Sequence, residues 1–287
     1  MKIIGIGPYV GDFEQELLTF RPYVKWLSEV IEYDEIYLNT HINRRFLYDF
    51  IEDENIIPVY ETFSRDEFSQ NGYIHGELSK KDFLLLVKKF KDKIISIEEC
   101  NKSDVEIYHL NYSKILDNYP HHNKIFNEIK RPDDIRVPER HKNKIVFIPD
   151  RSENIDKLAK LLKFLQDKYD DVIVVGNMES WFSRDNVILR FPDYFENGWK
   201  YILCYILESK GVICPISYWT SLCNLQKKPV FSWGKGPGQY RKNGILNFDN
   251  KDCITIPFEK DTNISILIKS VDFFIEMINK EKPVWER

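Results

Sequence analysis

Long apolar segments are missing from this sequence. No window approaches the roughly 18 uninterrupted apolar residues that a membrane-spanning helix requires, so no such helix is expected. A strong charge bias is missing too, because 41 lysines and arginines stand against 45 aspartates and glutamates and leave a net charge of −4. A dedicated nucleic-acid-binding protein is usually strongly basic, so nucleic acid is not an expected partner.

Disulfide and metal-binding patterns are also absent. The chain has five cysteines, and an odd number disfavours a disulfide framework. No two of them have C-x-x-C spacing, which disfavours a zinc ribbon. There is no H-E-x-x-H or D-x-D motif, so neither a metal nor a cofactor is expected. Acidic residues occupy positions 12, 14 and 16, where a signal peptide needs its apolar region. We therefore expect a cytoplasmic protein with reduced thiols.

What is present is a strand–helix–strand pattern that occurs twice. Hydrophobic residues make up 43% of the chain, enough for a sizeable core. Residues 2–7, 13–31 and 34–39 form the first unit, and residues 144–149, 155–169 and 171–176 form the second. Each unit spans about 30 residues, the length of a parallel crossover unit. The pattern predicts an α/β protein with two Rossmann-like domains.

A polar, proline-bearing segment separates the two units. It runs from Arg131 to His141 and is the best candidate for a linker. We place the boundary near residue 138, which gives an N-terminal domain of residues 1–138 and a C-terminal domain of residues 139–287. An amphipathic helix over residues 264–281 is predicted to pack back at the end of the second domain.

Residues that come directly after the strands are the first candidates for a site, because ligands of open parallel sheets bind at the carboxyl ends of the strands. The first loop has the spacing G-x-G-x-x-x-G and ends at Asp12. The second strand ends in Leu38-Asn39-Thr40, without the acid that a dinucleotide site needs, so a NAD-dependent enzyme is disfavoured. Asp12 is either a general base or an ordinary helix N-cap.

Three loops of the second half suit an anionic ligand. Arg151 and Ser152 follow a strand and precede a helix. They would form an anion site there. The alternative is that Ser152 caps the helix and Arg151 extends into water. Hydroxyls cluster where another strand turns into a helix, a geometry suited to phosphate oxygens, at Ser217, Thr220 and Ser221. Lys235 lies in a glycine-rich, cationic loop that would wrap an anion or lie on the surface. Four aromatic residues would stack on a nucleobase or pack in the core, namely Trp181, Phe191, Tyr218 and Trp219.

These segments together resemble a known family. The stretches that carry the resemblance are Gly211-Val212-Ile213, Ser217-Tyr218-Trp219-Thr220-Ser221-Leu222, Leu225 to Phe231 and Gly234. They are similar to the donor-side segment of the heptosyltransferase-type glycosyltransferases. In that family a strand is followed by a motif that reads roughly D-[ST]-G-x-x-H-L-A-A-A-L-x-K-P, and the motif is followed by a second strand and a glycine. The motif's acid, glycine and histidine fall at Ile216, Tyr218 and Ser221. Gly11-Asp12 resembles the family's G-D start, and Ile145 to Pro149 and Val174 to Gly176 match its next two strand ends.

The resemblance implies a GT-B architecture, in which two Rossmann-like domains face a cleft. It implies a metal-independent glycosyltransferase that moves a sugar from a nucleotide-diphosphate sugar to the hydroxyl of a glycan or another acceptor. Asp12 would be the catalytic base. His75 is a second candidate for the base or for binding the acceptor. The alternative is that His75 is an ordinary histidine of a surface loop. The donor would be bound by Arg151, Ser152, Gly176, Ser217, Thr220, Ser221 and Lys235.

Two other functions remain open on the same architecture. One is a nucleotide-sugar epimerase, which would turn over its substrate without an acceptor. The other is a non-catalytic GT-B-like module that binds a nucleotide or a partner protein. The three departures from the donor-side motif are the reason for keeping the second alternative.

A lysine-rich amphipathic stretch begins at Lys80 and runs beyond Lys93. Its apolar residues Phe83, Val87, Phe90 and Ile94 share one helical face. A basic amphipathic helix can lie on an anionic membrane surface. The alternative is an ordinary helix that packs on the first domain and keeps its lysines in water.

Overall fold

The structure is a computed structural model of the 287-residue chain. It describes residues 1–11, 13, 16–59, 80–109, 127–149, 155–175, 193–234, 253–257 and 263–280. The chain divides into two compact units, Met1–Lys130 and Arg131–Arg287. Each unit is built on its own parallel β-sheet. Within the described ranges, no helix is both long enough and apolar enough to cross a membrane.

The first unit has a four-stranded sheet in the order β3-β2-β1-β4. Its strands are β1 (Ile3–Ile6), β2 (Glu35–His41), β3 (Ile56–Val59) and β4 (Val105–Tyr108). A π-helical turn, Glu16–Phe20, runs directly into helix α1 (Arg21–Val30), and helix α2 spans Lys80–Glu98. Short 3-10 turns lie at Ile42–Leu47, Asp53–Asn55 and Lys102–Asp104.

Helix α2 packs closely against one face of this sheet. Its Phe90 and Ile94 form a buried cluster with strand residues that include Ile3, Tyr37 and Val105. Gly5 permits the close packing, since a Cβ atom there would lie 2.6 Å from Ile107 and 2.8 Å from Ile94. A side chain at position 5 would therefore require the side chains of Ile107 and Ile94 to move.

The second unit has a five-stranded sheet in the order β6-β5-β7-β8-β9. Its strands are β5 (Ile145–Phe147), β6 (Val172–Val174), β7 (Gly211–Pro215), β8 (Val230–Gly234) and β9 (Cys253–Pro257). Its helices are α3 (Ile155–Lys168), α4 (Asp193–Glu208), α5 (Tyr218–Leu225) and α6 (Ile264–Ile278). A 3-10 turn at Glu139–His141 precedes β5.

Helices α3 and α6 share one face of the second sheet. Leucines of α3 and apolar residues of α6, such as Val271 and Phe274, pack with Phe147, Phe231 and Trp233 in one buried cluster. The chain moves in opposite directions along the sheet when it passes through α3 and through α4, so right-handed crossovers place α4 on the other face. The sheet is therefore covered on both sides, and its central strands read as continuous apolar runs.

The polar segment predicted to be a linker, Arg131 to His141, is bound to the second unit by hydrogen bonds and an ion pair. The guanidinium of Arg131 donates to the carboxylate of Glu208 over 3.1 Å and to the carbonyl of Ile135 over 2.9 Å. Lys200 of α4 pairs with Asp134 at 3.1 Å. The first residues of this unit therefore lie along α4.

The repeated strand–helix–strand pattern predicted from the sequence is confirmed. The first unit contains β1, α1 and β2 in that order, and the second contains β5, α3 and β6. In both cases the two strands are parallel neighbours. The fold class, α/β with two parallel sheets, is therefore as predicted.

Asp272 provides a pH-dependent link between α3 and α6. Its carboxylate accepts hydrogen bonds from Lys168 and from the hydroxyl of Tyr169. Partial burial raises the pKa of Asp272, but these two hydrogen bonds outweigh it and hold the pKa below its usual value. The stabilisation is therefore present above about pH 4 and is lost as the pH falls through the pKa of the folded state.

We expect Asp272→Asn to lower the free energy of unfolding at pH 7 by less than about 1 kcal/mol, since the group is partly exposed. The difference from the wild type should shrink as the pH is lowered below 4. Urea unfolding at a series of pH values measures it. Glu276→Gln is the matched control, because Glu276 lies on the same helix in a half-exposed pair with Lys280. A gap that stays constant down to pH 2 would contradict this assignment.

Candidate functional site

The carboxyl ends of β5 and β7 form the natural ligand-binding edge of the second unit. These strands are neighbours in the sheet, yet the chain leaves them in opposite directions, to β6 and to β8. Ligands of open α/β sheets bind at this kind of switch point, where the two departing loops separate. The backbone there is tightly paired, with the Ile148 amide donating to the Ile213 carbonyl over 2.9 Å. Ile216 and Ser217 come directly after β7.

Ser217 begins helix α5 with a reciprocal cap. Its extended backbone lets its hydroxyl accept from the Trp219 amide at 3.3 Å, while its own amide donates to the Thr220 hydroxyl, also at 3.3 Å. The Thr220 and Ser221 amides both donate to the Ser217 carbonyl. This arrangement satisfies the first turn from within the chain.

The three hydroxyls predicted to bind phosphate differ in exposure. Thr220 and Ser221 are completely buried, whereas Ser217 is half-buried. The Thr220 hydroxyl also donates to the Pro215 carbonyl over 3.4 Å. It therefore shapes the turn between β7 and α5, and Ser217 is the hydroxyl of the three that lies closest to solvent.

An aromatic cluster supports this turn. The rings of Trp199, Tyr218 and Trp219 contact one another with centroid separations of 4.8–5.0 Å. Trp199 and Trp219 are buried, so they pack in the core rather than offer a stacking surface. Tyr218 is half-buried and comes directly after Ser217. Of the four aromatic residues singled out in the sequence, Trp181 and Phe191 lie outside the described residues, and Tyr218 keeps more accessible surface than Trp219.

The loop after β1 is held between its two neighbouring strands. The Gly7 amide donates to the Tyr108 carbonyl over 2.9 Å, and the Tyr9 amide donates to the Asn39 carbonyl over 2.8 Å. Gly7 has φ +124° and a cis peptide bond to Pro8. A Cβ atom at Gly7 would lie 2.5 Å from the Asn39 carbonyl oxygen, so both the backbone angle and the close approach require glycine.

A buried polar network, which the sequence analysis missed, closes the end of this loop. Glu16, Thr40 and Arg44 are fully buried, and Tyr48 is nearly so. One Glu16 carboxylate oxygen accepts from the Thr40 and Tyr48 hydroxyls, and the other accepts from Nη1 of Arg44 over 2.7 Å. The same Nη1 donates to the Gly11 carbonyl over 2.8 Å.

Burial and charge act against each other in this network. Burial raises the pKa of Glu16, while the Arg44 guanidinium and the two hydroxyls work in the opposite direction. Burial and the nearby Glu16 carboxylate raise the pKa of Tyr48 well above its ordinary value, so the phenol stays a hydrogen-bond donor. One signal in the sequence could have revealed Glu16. It lies four residues before Phe20, on the stripe that continues through Val24 and Leu27 and faces the core.

Several predicted site residues lie outside the described part of the chain. They are Asp12 and His75 of the first half and Arg151, Ser152, Gly176 and Lys235 of the second. Gly11 and Pro149, which are described, lie one and two residues before Asp12 and Arg151. Among the described residues, no group of three or more histidine, cysteine, aspartate or glutamate side chains could hold a metal ion.

Structural comparison identifies known proteins with this fold. The E. coli heptosyltransferase WaaC with ADP matches over 97% of this chain and 100% of its own, with a TM-score of 0.53 and 10% identity. The E. coli ADP-heptose LPS heptosyltransferase II matches over 98% and 100%, with a TM-score of 0.52 and 13% identity. A UDP-GlcNAc 2-epimerase from Methanocaldococcus jannaschii matches over 98% and 94%, with a TM-score of 0.51 and 12% identity.

The sequence itself matches no protein-family model and no curated protein. At 10–13% identity, the structural likeness shows the fold alone. The GT-B fold expected from the resemblance to heptosyltransferases is thus confirmed at the level of the fold.

Proposed function

We propose that this chain is a glycosyltransferase that moves a sugar from a nucleotide-diphosphate sugar to an acceptor hydroxyl. The observation that carries the proposal is the switch point between β5 and β7, with the half-buried hydroxyl of Ser217 at its edge. The match to two heptosyltransferases over nearly the whole chain, one of them with ADP, supports a donor of this class.

The proposed donor site combines hydroxyl and cationic groups. Ser217 would contact the diphosphate directly, while Thr220 and Ser221 would maintain the shape of the turn from their buried positions. Arg151, Ser152, Gly176 and Lys235 complete the proposed site from the loops after the strands. Such donors can stabilise a leaving diphosphate without a metal ion. Tyr218 would offer its accessible ring to the nucleobase.

In the proposed reaction, Asp12 removes the proton from the acceptor hydroxyl as its oxygen attacks the anomeric carbon. The bond between that carbon and the donor's diphosphate breaks, and the nucleoside diphosphate leaves with the bonding electrons. His75 stays the reserve candidate for the base or for binding a glycan or other hydroxyl acceptor. A cytoplasmic location, where nucleotide sugars are available, is part of the same proposal.

Two alternatives make different predictions. The likeness to a UDP-GlcNAc 2-epimerase favours keeping an epimerase as a second candidate, which would convert a UDP-sugar without any acceptor. A module that only binds a nucleotide or a partner protein would show no turnover. The absence of the motif's acid at Ile216 and of its histidine at Ser221 is the observation behind that alternative.

The first experiment measures the melting temperature with UDP, ADP, GDP, TDP and CMP. A ligand that binds the folded protein raises the melting temperature by mass action, so at least one nucleotide should do so. Ser217→Ala should weaken that nucleotide about 10-fold, as expected for loss of a hydrogen bond to a charged group. No shift with any nucleotide would contradict the proposed donor class.

Ser217→Gly separates binding from helix capping. Glycine at a cap costs only a few tenths of a kcal/mol, whereas alanine costs about 1 kcal/mol. If the hydroxyl contacts the donor, both variants should weaken the nucleotide equally although only the alanine variant loses stability. Binding that is weakened in the alanine variant alone would assign Ser217 a purely structural role.

The base is tested with Asp12→Asn. We expect transfer from the best-bound nucleotide's sugar to fall by about 100-fold, since the amide cannot accept the proton, while nucleotide binding stays unchanged. Release of nucleoside diphosphate measures the reaction. Asp92→Asn, an exposed acid on α2, is the control and should behave as the wild type. Unchanged turnover in the Asp12 variant would reject its role as the base.

We also propose that α2 contacts an anionic membrane surface. Its inner face packs on the sheet through Phe90 and Ile94, as the alternative of an ordinary helix predicts. Its outer face exposes Leu84 and Leu85 by about half, 48% and 50%, next to lysines. The neighbouring exposed lysines are Lys80, Lys81, Lys88 and Lys89. Apolar side chains framed by cations suit the interface of an anionic bilayer.

Cosedimentation with lipid vesicles tests this contact. Vesicles that contain phosphatidylglycerol should bind the protein at low salt, and vesicles of phosphatidylcholine alone should bind it much less. The double variant Leu84→Ser/Leu85→Ser should lose most of the binding because the apolar contact is removed. If the wild-type protein does not cosediment with the anionic vesicles, α2 is an ordinary surface helix.

A further inference from the structure

We infer that the buried Glu16–Arg44 pair is a positioning device for the peptide bond between Gly11 and Asp12. The inference rests on the proposed function in one respect, namely that Asp12 is the base whose position matters. The geometry concerns the chain just before Asp12 and holds whether or not the reaction is the proposed one.

Arg44 connects a helix to the loop through a single nitrogen. Its Nη1 lies 2.7 Å from the Glu16 carboxylate and 2.8 Å from the Gly11 carbonyl oxygen. Arg44 belongs to the 3-10 turn after β2, and Glu16 begins the π-helical turn before α1. Three parts of the fold, namely the loop, the helical turn and the end of β2, therefore meet at one guanidinium.

Glu16 has no freedom of its own in this arrangement. Both of its carboxylate oxygens accept hydrogen bonds, one from Thr40 and Tyr48 and the other from Arg44. Since the side chains are buried, water does not compete for these hydrogen bonds, which are stronger there than at a surface. Glu16 thus orients the guanidinium, and the guanidinium orients the Gly11 carbonyl.

The inferred role extends from the held Gly11 carbonyl to the peptide bond that follows it. The peptide unit is planar, so a fixed carbonyl sets the plane that contains the Asp12 amide and Cα. The start of the loop is already held by the hydrogen bonds of Gly7 and Tyr9. The segment before Asp12 is therefore fastened at both ends, as a loop that presents a catalytic group requires.

Folding alone does not explain a charged pair at this position. Two buried charges lose their hydration, and apolar side chains of similar size commonly give equal or greater stability. What apolar side chains cannot do is donate a hydrogen bond to the Gly11 carbonyl. This difference separates a positioning role from a structural one.

The decisive variant is the double substitution Glu16→Met/Arg44→Met. It removes both charges together and leaves apolar side chains of comparable length, so we expect the fold to be retained. Arg44→Lys is the second variant, since lysine keeps one charge near Glu16 but is one bond shorter than arginine, so its ammonium should not reach the position from which Nη1 contacts both Glu16 and Gly11. Arg21→Met is the matched control. Arg21 is an equally buried arginine of the same unit, and it donates to the carbonyls of Leu47, Asn127 and Glu128 instead.

The sequence permits a direct readout that does not depend on activity. A glycine followed by aspartate occurs once in the 287 residues, at Gly11-Asp12. Labelling glycine with ¹³C at the carbonyl and aspartate with ¹⁵N therefore gives one amide–carbonyl correlation, from this peptide bond. Loss of the Arg44 hydrogen bond should move the Gly11 carbonyl resonance upfield in the double variant and in Arg44→Lys, but not in Arg21→Met.

Kinetics with the sugar nucleotide chosen by the melting experiment supply the second readout. A misplaced base should lower kcat by about 10-fold to 100-fold and leave the KM for the donor nearly unchanged, because the donor is bound by the second unit. Arg21→Met should lose stability without this split between kcat and KM.

The outcomes separate the two proposals. A folded double variant with an unmoved Gly11 carbonyl resonance, or with wild-type kcat, would overturn the positioning role. If the Gly11 carbonyl resonance moves but the protein turns over no sugar nucleotide, the hydrogen bond from Arg44 to Gly11 is supported and the proposed function is rejected. A moved resonance together with a lowered kcat supports both.

Discussion

The parallel alignment of strands is the constraint on which the rest of this structure depends. Two parallel neighbours cannot be joined by a tight turn, so the chain needs a long connection that returns it to the starting edge of the sheet. All strands of a sheet then end at the same edge, and each ending opens into a loop. The loops after β1, β5 and β7 owe their places to this rule. Both proposed halves of the chemistry, the base and the donor site, lie in such loops.

The central strands could be predicted from the sequence because both of their faces are buried. Ile145–Phe147 and the segment around Ile213 read as uninterrupted apolar runs, which few other structures produce. Val172–Val174 lies at an edge of the sheet but is also buried, and it was predicted for the same reason. Three short strands, β3, β4 and β9, were not predicted. All three lie at an edge of the described sheets, and β3 contains Pro58, which is typical of an edge strand. These three edge strands are partly exposed, so their sequences lack a continuous apolar run and resemble loops.

The candidate site could be predicted only in part, because side-chain burial and contacts between distant residues depend on tertiary packing. The hydroxyls after β7 could be found, because they follow a strand and begin a helix. Their unequal burial could not, since it depends on how α4 and α5 pack through Trp199 and Trp219. The Glu16–Arg44 pair joins residues 28 positions apart on different elements. A single sequence shows that Glu16 lies on an apolar stripe but not which cation it meets.

Gly5 and Gly7 have a consequence for the use of short motifs. Spaced as G-x-G, with Gly5 inside β1 and Gly7 directly after it, they match the opening of a dinucleotide-binding fingerprint. In this fold, the first is glycine because Ile107 and Ile94 press against it, and the second because the chain turns beside Asn39. Two unrelated packing demands have produced the same two letters. A pattern search would count them as one signal for a phosphate, whereas in this fold each glycine answers a different local constraint: side-chain packing at Gly5, and backbone angle and backbone contact at Gly7.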